Sequence, residues 1–64
     1  MKFCGLKVIE LRKAKGLTQE ILSCEIGMTQ GTIARIERGG LTPSVETLAK
    51  LASFFEVSPG YFFV

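Results

Sequence analysis

Residues 18–39, TQEILSCEIGMTQGTIARIERG, leave this chain few ways to fold, because they encode two short helices with almost nothing between them. Leu22 and Ile26 are four apart and share one face of the first helix; Ile33 and Ile36 are three apart and share one face of the second. Each helix has its own start signal. Thr18 precedes the first, with Gln19 and Glu20 in the opening turn, and Thr29 precedes the second, with Gln30 just inside. Gly27-Met28-Thr29 forms the turn. Gly39 is the stop, since glycine accepts the left-handed conformation that ends a helix. Helices this short share a core only by crossing at a steep angle.

The flanking sequence adds further helices. Residues 3–15 read as the first, with Cys4, Val8 and Leu11 at i, i+4 and i+7 as its core stripe. Lys13 and Lys15 suit the negative end of its dipole, and Gly16 ends it. A second apolar line, Phe3, Leu6 and Ile9, lies well round from that stripe, so this helix is either sandwiched or touches something outside the domain. Leu17 stands just before the Thr18 cap, placed to staple onto Ile21 or Leu22. After a loop, Gly40-Leu41-Thr42-Pro43, a fourth helix covers residues 44–55, with Ser44 or Thr42 as cap and Pro43 at or near its first position. Its stripe is Val45, Leu48, Leu51, Ala52 and Phe55. Ser58-Pro59 starts a last helical turn over residues 59–63, although PGYFFV taken alone also suits an edge strand. The expected fold is all-α, one domain over residues 1–64, a compact bundle of four to five short helices without strands.

A helix, a tight turn and a second helix make a helix-turn-helix, whose second helix can lie in the major groove of DNA. Composition permits this without demanding it. The net charge of +2 is only mildly basic, less than the usual electrostatic footprint of a nucleic-acid-binding domain. There is no His and no Asp, which removes the usual participants of metal sites and catalytic triads, and two Cys twenty residues apart make neither a metal site nor a disulfide framework. No metal, no cofactor, no small-molecule ligand and no enzymatic activity are expected. No signal peptide is visible, and no stretch reaches the ~18 apolar residues of a membrane span, so the expected setting is the cytoplasm. A hydrophobic fraction of 47% is high for a chain that buries only about 60% of its unfolded surface. Either the core is unusually complete or apolar surface meets a partner.

The segments LTQEIL, IGMTQGTIARIERG and TPSVETLAKLASFFEVSP together resemble the phage repressor and Cro type of helix-turn-helix domain, found also in restriction-modification controller proteins and small bacterial regulators. The resemblance spans residues 8–62. It implies a lambda repressor-like fold and a small transcriptional regulator that binds double-stranded DNA. It further implies that Gln19 contacts a phosphate, and that Gln30, Gly31, Ala34 and Arg35 look outward from the recognition helix toward base edges. Gln30 then pairs with adenine, Arg35 with guanine, and Ala34 meets a thymine methyl. Thr29, Thr32, Arg38, Gly39, Thr42 and Ser44 are implied phosphate contacts, which position the domain without reading sequence. The family also pairs an Arg of the first helix with the Glu of Ile-Glu-Arg, here Arg12 and Glu37. The segment from Phe54 onward, with Tyr61, Phe62 and Phe63, is implied as a homodimer surface, and a two-fold dimer implies a palindromic operator.

Some residues depart from the family pattern. Gly31 stands where members often carry a base-reading side chain; it either gives up a direct contact or lets the backbone approach the groove. Ser23 replaces a usual Ala, and Ile21, Cys24 and Phe54 are apolar where members are polar or small. The alternative function is a protein-interaction module on the same fold, of antitoxin or coactivator type.

Overall fold

Hydrogen bonds at the helix ends set the architecture of the computed structural model, which describes residues 1–64. Helices α1 (Gly5–Ala14), α2 (Gln19–Glu25), α3 (Gln30–Arg38) and α4 (Val45–Phe55) follow in order, and a 3-10 turn, Pro59–Phe62, closes the chain. Three helices begin at a hydroxyl. Thr18 Oγ1 accepts from the Ile21 N–H at 3.1 Å, Thr29 Oγ1 from the Thr32 N–H at 3.2 Å, and Ser44 Oγ from the Thr47 N–H at 3.2 Å. Ser44 is thus the α4 cap, with Pro43 just ahead of it.

All four helices end alike. A left-handed residue reverses the chain, and its N–H and the next one return to carbonyls of the helix's last turn. At α3, Gly39 N–H donates to Ile36 O at 3.1 Å and Gly40 N–H to Arg35 O at 2.9 Å. The left-handed residue is Gly16, Gly27 or Gly39 in the first three helices, but Glu56, at φ 59°, after α4. A side chain in that conformation costs roughly 1–2 kcal/mol. Nothing in the α4 sequence announces this ending.

The core joins every element: Val8 of α1, Leu22 of α2 and Ile26 just after it, Ile33 and Ile36 of α3, Leu51, Ala52 and Phe55 of α4, and Phe62 of the closing turn. Leu11, Met28, Leu41, Leu48, Phe54 and Val57 pack round it half-buried. Buried Ser23 donates its hydroxyl to Glu20 O at 2.7 Å, which makes the departure from Ala harmless. No helix is long and apolar enough to cross a membrane.

Three expectations need correction. α1 starts at Gly5, because Lys2 to Cys4 is extended and bonded to the chain's end. Lys2 and Val64 exchange both N–H···O bonds at 2.9 Å, Cys4 N–H donates to Phe62 O at 2.7 Å, and Phe3 faces Phe63 in an antiparallel bridge. A strand-like pairing therefore exists, confined to one bridge, and Phe3 belongs to it rather than to a helical line with Leu6 and Ile9. The last helical turn stops at Phe62, since Phe63 is drawn into the same bridge. Val45 is 85% exposed, because in the first turn of α4 it lies past the edge of the core.

The α1–α3 contact depends on Gly5, which is buried at the start of α1. A Cβ there would run into the carbonyl oxygens of Ile36 and Glu37, and backbone atoms cannot swing aside as a side chain can. Gly5→Ala is expected to lower stability by about 1–3 kcal/mol, the usual consequence of overpacking. A urea melt against the wild type measures it; an unchanged midpoint would show that the two helices are not in backbone contact.

Candidate nucleic-acid interface

Ile33 and Ile36 are completely buried, and this fixes the rotation of α3 about its axis. With both turned inward, Gln30, Gly31, Arg35 and Arg38 are exposed, while Thr32 and Ala34 are half-buried. Gln30, Arg35 and Arg38 have no side-chain hydrogen bond or ion pair within the chain. Their donors are therefore free for an outside acceptor. Gln30, in the first turn, and Arg35, in the last, put an amide and a guanidinium at the two margins of the exposed surface of a nine-residue helix. Both groups can make the paired hydrogen bonds that read purine edges.

The expected phosphate contacts fall into two groups. Gly39 and Thr42 are exposed, as Arg38 is. Thr29 and Ser44 are also exposed, but their oxygens already serve the backbone as caps. Thr29 Oγ1 also lies 2.9 Å from Thr32 Oγ1, and Ser44 Oγ donates to Thr47 Oγ1 at 3.2 Å. The three hydroxyls of Thr29, Thr32 and Ser44 are thus engaged locally. On the acidic side, Glu25 lies in a shallow groove with Glu46, Lys50 and Phe54, on the α4 side of α2.

Behind α3 sits a polar cluster. Arg12 Nε donates to Glu37 Oε2 at 2.6 Å and Arg12 Nη2 to Glu37 Oε1 at 3.2 Å, a two-pronged ion pair between α1 and α3. The Glu37 side chain is only 3% exposed. Arg12 Nη1 donates to Leu17 O at 2.8 Å, and Gln19 Nε2 donates to Glu37 Oε1 at 2.8 Å. One carboxylate thereby ties α1, the α1–α2 turn, the start of α2 and the end of α3. No buried side-chain polar atom lacks a partner, as a buried charge requires. Gln19 departs from a purely outward role: one amide hydrogen is committed inward, and the other makes no bond within the chain. The Leu17 carbonyl and the inward turn of Gln19 carry no sequence signal, because both depend on where Arg12 arrives from another helix.

The aromatic tail is divided by the fold. Phe62 is completely buried, so its expected place on a dimer surface is wrong; the 3-10 turn points its ring into the core. Phe63 is half-buried edge-on to Phe3, with ring centroids 5.9 Å apart, and Phe54 is half-buried against Phe55 and under Lys15. Tyr61 alone of the four is exposed, at 37%, with Lys7 Nζ 5.0 Å from its ring.

This arrangement of helices recurs in known proteins. The restriction-modification controller protein C.AhdI from Aeromonas hydrophila is similar in structure with a TM-score of 0.83 and 36% identity, over 92% of this chain and 89% of that one. The P22 c2 repressor in complex with a synthetic operator gives 0.89 at 26% identity, over 97% and 94% of the two chains. In sequence, an uncharacterised HTH-type transcriptional regulator of Sinorhizobium fredii is 40% identical over 57 residues, 89% of this chain and 74% of the relative. The model of one helix-turn-helix family matches residues 8–62, which takes in the capped α2–α3 pair, the ion pair behind it and the buried Phe62, and the chain belongs to that family.

Proposed function

We propose that this protein is a transcriptional regulator that binds double-stranded DNA in a sequence-dependent way, with α3 in the major groove. The observation that carries the reading is the complete burial of Ile33 and Ile36, which leaves Gln30, Arg35 and Arg38 exposed and unpaired on α3. The P22 c2 repressor, similar in structure, is known in complex with a synthetic operator, which supports DNA as the partner. Gln30 and Arg35 read base edges; Arg38, Thr42, the Gly39 backbone and the remaining Gln19 amide hydrogen hold phosphates. The protein acts by binding, without catalysis, and in the cytoplasm.

It acts as a homodimer on a palindromic site. One domain reads too few base pairs to select a site in a genome. The Cα atoms extend 28 Å along the longest axis, a size at which a two-fold pair can present its recognition helices about one DNA turn, roughly 34 Å, apart. Doubling the phosphate contacts also offsets the low net charge.

A randomised-duplex selection, repeated with Arg35→Ala, tests the reading. The wild type is expected to select a palindrome, with affinity falling steeply as salt rises. Arg35→Ala is expected to lose about 1–3 kcal/mol of discrimination at one guanine per half-site and to keep the remaining preferences. No sequence preference in the wild type, or binding indifferent to salt, would overturn it.

A further inference from the structure

Gly31 is the one glycine inside an α-helix that the fold itself does not require. Gly16, Gly27 and Gly39 have positive φ, and Gly5 is pressed against α3. Gly40 and Gly60 lie outside the α-helices, where glycine carries little helix penalty. Gly31 differs on every count. It is the second residue of α3, its φ is ordinary, it is exposed, and a Cβ added to it would meet nothing within 4 Å. Alanine would fit and would favour the helix. Nothing within the domain excludes a side chain there.

Resting on the DNA reading above, we infer that Gly31 is a specificity-determining residue: it lets the edge of a base pair come against the α3 backbone, in the space a Cβ would fill. Gln30 precedes it, and Arg35 stands one turn further along the same exposed side. The two side chains then read bases on either side of a pair recognised by close fit to bare backbone. A methyl group at position 31 would hold α3 away from that pair and weaken the contacts of both neighbours together.

Gly31→Ala separates stability from recognition. The variant is expected to melt roughly 2–6 °C higher than the wild type, from its better helix propensity. Its binding to the selected operator is expected to weaken about tenfold or more, while binding to unrelated duplex at low salt stays within about twofold, because phosphate contacts dominate there. Gly60→Ala, another unforced glycine far from α3 in sequence, serves as control and is expected to bind the operator like the wild type. Operator affinity of Gly31→Ala equal to or tighter than wild type, with Arg35→Ala still relaxing one guanine, would overturn the Gly31 inference and leave the DNA reading intact. A wild type without sequence preference would overturn both.

Discussion

Glu37→Ala is expected to lower the free energy of unfolding by about 3–5 kcal/mol, because it strands the Arg12 guanidinium against the core without its partner. A domain of this size has roughly 3–10 kcal/mol in all, so the variant is largely unfolded at moderate temperature. The loss has three parts in the structure: two Arg12–Glu37 bonds disappear, the Gln19 amide loses its acceptor, and the Arg12–Leu17 bond is left holding a charge alone. The intact pair contributes much less than its removal costs, since both charges were desolvated to form it. Replacing both residues at once, Arg12→Met with Glu37→Met, is therefore expected to recover most of the loss. Urea melts of Arg12→Met, Glu37→Met, the double variant and the wild type form a cycle that measures the coupling. A wild-type midpoint for Glu37→Ala would mean that the pair does not form in solution. Operator binding should fall with the single variant at temperatures where it is partly unfolded, because the same carboxylate ties the end of α3 to α1.

Much of this fold is written within single turns of the chain, and that part was legible. Thr18 and Thr29 cap as their positions suggest, because a cap involves residues three apart. Gly16, Gly27 and Gly39 end their helices because the left-handed conformation is a property of one residue. The inward turn of Ile33 and Ile36, and with it the exposure of Gln30 and Arg35, follows from helical period alone. What was not legible depends on distant partners. Phe3 leaves the helical pattern because Phe63, sixty residues away, offers it an extended pairing that no local propensity records. Gly5 looks like an ordinary helical glycine until α3 is laid across it. Gln19 suits the start of a helix in either role, and only the position of Glu37 turns one amide hydrogen inward. Glu56 shows the limit of local rules: it takes the left-handed conformation between core Phe55 and half-buried Val57, against its own preference.

Phe62→Ala is the second large effect, again expected at about 3–5 kcal/mol of stability, the cost of removing a fully buried aromatic ring and leaving a cavity. The ring lies 6.1 Å from Phe3 and 5.7 Å, edge-on, from Tyr61, so its loss also loosens the bridge that joins the two ends of the chain. Cys4 still donates to the residue 62 carbonyl, but with no ring beneath it the paired ends are expected to fray. The result distinguishes two uses of an aromatic tail that sequence alone leaves equivalent. A core ring removed from a monomer lowers the thermal midpoint at every protein concentration. A ring removed from a subunit contact instead leaves the isolated domain folded and shifts the monomer–dimer balance, as Tyr61→Ala is expected to do with under about 1 kcal/mol of intrinsic destabilisation. Thermal melts and light scattering of both variants over a range of concentrations measure the two quantities separately. If Phe62→Ala kept the wild-type midpoint while losing the dimer, its ring would be facing a second copy in solution, and the closing turn would have to be rotated to bring Tyr61 inward in its place.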